Sequence, residues 1–61
     1  GSYAGIQILN RKIQNLETKN IELENKNNQL ETQVIEQKNK ISNLESQLEN
    51  VLNRLLILEN N

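Results

Sequence analysis

Residues 6–30 read IQILNRKIQNLETKNIELENKNNQL, and the order of their apolar and amide side chains decides the fold. Ile6, Leu9, Ile13 and Leu16 follow one another at alternating steps of three and four, and Asn20, Leu23, Asn27 and Leu30 keep the same steps. With Ile6 as position a of a heptad abcdefg, the pattern continues through Val34, Gln37, Ile41, Leu44, Leu48, Val51 and Leu55 to Leu58 without a skip. A 3.5-residue period held over about eight heptads is the signature of a left-handed coiled coil. The sequence therefore predicts an all-α chain: a single long helix over residues 6–61 in a parallel coiled coil, with a dimer favoured over a trimer. Residues 1–5 are expected to be a frayed lead-in.

Composition leads to the same place. Of the 61 residues 34% are hydrophobic, the only aromatic is Tyr3, and the mean hydropathy is −0.75. So few large apolar groups do not offset the entropy of ordering a compact monomer. Low hydrophobicity with abundant Asn, Gln, Lys and Glu would ordinarily mean disorder; here the apolar residues share one helical face, so a second copy can bury them. Proline is absent and glycine occurs only at Gly1 and Gly5, so nothing from Ile6 onward breaks a helix. Ser2 is placed to cap a helix starting at Tyr3, although Gly5 weakens that first turn. Gly1-Ser2 is also a common cloning remnant and Asn61 completes a heptad, so the sequence is expected to be a piece of a longer protein.

Three amides interrupt the stripe. Asn20 and Asn27 occupy consecutive a positions and Gln37 a d position. In a parallel, in-register dimer each Asn meets its own copy and the two amides hydrogen-bond. Slip one chain by a heptad and Asn20 still meets Asn27, but the outer two Asn face Ile13 and Val34 and Gln37 faces leucines. Each mismatch buries an amide without a partner, at about 1–3 kcal/mol. Asn20, Asn27 and Gln37 are thus expected to set the register, and the stretch they occupy to open most easily.

The flanking charges choose the orientation. In a parallel coil each g side chain reaches the following e of the partner. The pairs are Lys12–Glu17′, Lys19–Glu24′, Lys26–Glu31′, Lys40–Glu45′ and Arg54–Glu59′, all attractive; Gln33–Lys38′ and Gln47–Leu52′ are neutral. An antiparallel pair with full overlap would set Lys12 against Arg54, Lys26 against Lys40 and Glu17 against Glu45. Each exposed pair contributes only about 0.2–1 kcal/mol, but every sign favours parallel.

The number of strands is less sharply coded. Ile at a with Leu at d in the first two heptads, and the paired Asn, favour two strands. Leu48 and Leu55 at a depart from that preference, and Arg54-Leu55-Leu56-Ile57-Leu58-Glu59 has an Arg-apolar-x-x-apolar-Glu spacing that resembles a trimer-favouring motif. Leu52 at e, Leu56 at b and Ile57 at c widen the stripe from Val51 to Leu58, which marks that end as a surface for a partner protein.

Several function classes are excluded. Histidine, cysteine and aspartate are all absent, which removes nucleophilic triads, Cys/His metal sites and EF-hand loops. The glutamates lie at exposed positions with no cleft for paired-carboxylate catalysis, and there is no Gly-rich phosphate loop. No enzyme activity and no cofactor are expected. A net charge of −1 with interspersed signs, and only Arg11 and Lys12 clustered near the start, argue against nucleic acid as a partner. No apolar run approaches the ~20 residues of a membrane span.

Over nearly its whole length the chain resembles two-stranded parallel leucine-zipper coiled coils as a class. The resemblance implies a homo-oligomerisation module joining copies of a larger structural, cytoskeletal, centriolar or motor protein, with a cytoplasmic location. The alternatives are the trimeric stalk of a surface adhesin or viral fibre, or an adaptor whose last heptads bind another protein's helix.

Overall fold

The computed structural model describes residues 2–61, and they form one element, helix α1, Ser2–Asn60. The fold class is all-α, as the heptads predict. Leu, Glu, Gln and Lys lose little side-chain freedom in a helix. Most β-branched residues stand singly between them. Among the described residues no peptide bond is cis and no φ is positive, so no turn or bulge breaks the chain.

The start of the helix differs from the sequence expectation. α1 begins at Ser2, four residues ahead of the expected Ile6, and takes in four residues of the 1–5 lead-in; Gly1, the fifth, lies outside the described residues. Local chemistry accounts for the extension. The Gln7 Nε2 amide donates to the Tyr3 hydroxyl at 3.1 Å, one turn back, and Ala4 is the strongest helix former of all. These offset the entropic cost of Gly5. At the other end Asn60 is the last helical residue and Asn61 lies beyond it, one residue short of the expected 6–61 span. The helix carries no acid in its first turn and no base in its last, so its dipole is unassisted by charge at either end.

The chain divides into two units at the Leu30/Glu31 junction. The first holds the core positions Ile6, Leu9, Ile13, Leu16, Asn20, Leu23, Asn27 and Leu30. The second holds Val34, Gln37, Ile41, Leu44, Leu48, Val51, Leu55 and Leu58. Neither unit has an interior: every described residue is exposed, and none meets another twelve or more positions along the chain. No helix of the described residues is long and apolar enough to cross a membrane.

A Cβ added at Gly5 would meet nothing within 4 Å. Gly5→Ala should therefore stabilise the helical start by about 1 kcal/mol, raising the helical signal in circular dichroism and the melting temperature together.

Candidate functional site

The candidate site is the apolar stripe itself. In an α-helix each residue advances 100°, so steps of three and four return to one face and fall back by about 20° per heptad. Within each unit the core positions therefore stay on one face and drift slowly across it. Supercoiling around a partner removes that drift.

The stripe is open to solvent throughout. Even its best-covered apolar members, Leu30 and Val34, leave 47% of their surface exposed, and Leu58 leaves 70%. What covers the remainder is only the helix's own neighbouring side chains. The three amides Asn20, Asn27 and Gln37 lie in the same stripe and are likewise exposed. Beside it stand the flanking charges: Lys12, Lys19, Lys26, Lys40 and Arg54 on the g edge, with Glu17, Glu24, Glu31, Glu45 and Glu59 on the e edge. The helix thus presents an apolar strip with a basic margin on one side and an acidic margin on the other.

Side chains away from the stripe engage their own helix. The Thr18 hydroxyl at f donates to the Gln14 carbonyl at 3.0 Å, the back-bond by which a mid-helix Thr satisfies its hydroxyl locally. Asn28 and Thr32, at b and f, also make polar interactions. Tyr3, the sole aromatic, is 74% exposed with its hydroxyl accepting from Gln7; that bond stays within the first turns.

Two exposed apolar residues, Ile21 and Ile35, were not singled out by the heptad reading. Both sit at b, outside the e column, and each stays open to solvent. Their signal in the sequence is β-branched bulk at the same heptad position two repeats apart. At the far end Leu48, Leu52, Leu55 and Leu56 are linked by steps of three and four, so there the apolar surface runs continuously from a through e to b.

No protein-family model matches the chain, and no curated protein or solved structure compared with it is significantly similar.

Ile13 at a and Ile21 at b are the same residue with similar exposure in the lone helix. Only a partner on the stripe tells them apart. Ile13→Ala should cost about 2–5 kcal/mol in chemical denaturation, and Ile21→Ala should fall within about 0.5 kcal/mol of the parent. Replacing Asn20 and Asn27 together with Ile should raise the melting temperature and broaden the oligomer distribution in sedimentation. An unchanged melt and a single unchanged species would remove the amides' role in register.

Proposed function

We propose that the chain is a homo-oligomerisation module: a parallel, in-register coiled-coil dimer that holds two copies of a larger structural protein side by side. The observation that carries this reading is a heptad stripe in which every apolar residue of the chain remains exposed to solvent. Isolated helices gain little from backbone hydrogen bonds alone, so helical stability comes from burying an amphipathic face. A partner must supply that burial, and a second copy fits. Its basic g margin meets an acidic e margin in five attractive pairs on each side of the dimer, and its Asn20 and Asn27 bring matching amides to the same depth.

Such a module acts through proximity. Joining two chains converts later encounters between whatever they carry into intramolecular events, with an effective concentration set by the length and stiffness of the connection. Cytoskeletal, centriolar and motor assemblies use pairing of this kind.

A second reading is supported by the last two heptads. Leu52 and Leu56 extend the stripe sideways, and three strands cover an apolar e column better than two. That arrangement suits the stalk of a surface adhesin or viral fibre. A third reading assigns the same end, Val51 to Leu58, to the helix of a different protein.

Sedimentation equilibrium separates the three. The dimer predicts a mass of two chains, with helicity that falls on dilution as the pair dissociates. A mass of three chains would establish the stalk in its place. A helix that forms only weakly, with no self-association, would leave the adaptor.

A further inference from the structure

Building on the proposed parallel dimer, we infer that Lys38 is a register lock: an interface residue that discriminates against slipped pairing through charge, independently of the amides in the stripe. Lys38 is the one basic residue of the e column, where Glu17, Glu24, Glu31, Glu45 and Glu59 are all acidic. It lies within the helix Ser2–Asn60 and is exposed, and no residue twelve or more positions away along the chain meets it.

Its partner across the dimer depends on register alone. In register, the g residue that faces it is Gln33, which is uncharged. A slip by whole heptads keeps a on a and d on d, so the apolar stripe tolerates it, but the slip moves Lys38 along the g column in seven-residue steps. One heptad sets the two copies of Lys38 against Lys26 and Lys40. Two heptads set them against Lys19 and Gln47, and three against Lys12 and Arg54. Every slip that keeps more than half of the stripe paired therefore brings Lys38 against a like charge. Gln33 interrupts the basic g column at the one place where Lys38 needs a neutral partner. An acidic residue at 38 would remove this discrimination, because each of those cations would then attract it.

The chain contains no cysteine, so single thiols report on slippage. Chains carrying Leu16→Cys form the 16–16′ disulfide when in register. Mixed with chains carrying Leu9→Cys in a glutathione redox buffer, they form a 9–16′ disulfide only when slipped by one heptad. Adding Lys38→Glu to both chains should raise the ratio of 9–16′ to 16–16′ product by about fivefold or more, since two repulsive contacts become attractive. Asn39→Glu, on the outer face, adds negative charge without meeting a g residue and should leave the ratio as it was.

An unchanged ratio with Lys38→Glu, or undetectable 9–16′ product with and without it, overturns the lock while 16–16′ formation upholds the parallel dimer. An equal rise with Asn39→Glu overturns it as well, by assigning the effect to net charge. Failure of the Leu16→Cys chains that keep Lys38 to form 16–16′ overturns the lock together with the in-register dimer on which it rests.

Discussion

The structure depends on a stripe of apolar surface that its own chain has no means to cover. The apolar seam residues leave between 47% and 70% of their surface in water, and transfer of such surface out of water is the main favourable term in folding. Each leucine or isoleucine that becomes fully buried contributes about 1.5–3 kcal/mol. These residues lie at a and d, so on the proposed reading the missing contribution belongs to an interface. Folding and association are, on the proposed reading, one event. The lack of favourable charge at either helix end points the same way: Glu59 sits near the C-terminal carbonyls, where a negative charge is unfavourable, and in the proposed dimer the partner's Arg54 lies beside it.

The fold was legible because its signal is redundant. Thirteen apolar residues at a and d repeat the 3.5-residue period, and the loss of any one would leave the period readable. The helix start was less legible because it rests on few residues: Gly5 argued for a frayed lead-in, while Ala4 and the Tyr3–Gln7 bond carry α1 back to Ser2. A glycine penalty of about 1 kcal/mol is small enough for such neighbours to reverse. The candidate site was legible to the extent that it coincides with the period. Ile21 and Ile35 escaped because they fall outside it, and isolated apolar residues on a surface are common.

Identity of the partner is written in a different alphabet from the fold. Any heptad stripe accepts any other, since burial is non-directional; selectivity comes from groups that are costly when mismatched. This chain carries two such sets, and they differ in physics. On the proposed reading, Asn20, Asn27 and Gln37 act at short range, through hydrogen bonds that a slip leaves unmade in a dry seam, so their penalty is nearly independent of salt. The flanking charges act through solvent at the margins and are screened within about 8 Å at physiological ionic strength.

The two sets also divide the work by position. Asn20 and Asn27 are a heptad apart, so a slip of one heptad still matches one pair of amides; a slip in that direction is where the core discriminates least. Lys38 acts there most fully, because a one-heptad slip is the smallest that gives both of its copies a cationic neighbour, Lys26 for one and Lys40 for the other. A slip of two heptads gives a like charge to only one copy, since the other meets Gln47, but it separates Asn20 from Asn27 entirely and loses every amide match between them. On the proposed reading, the weakness of each device falls where the other is strong, which is why an Asn-rich seam of modest hydrophobicity can still hold identical chains to one register.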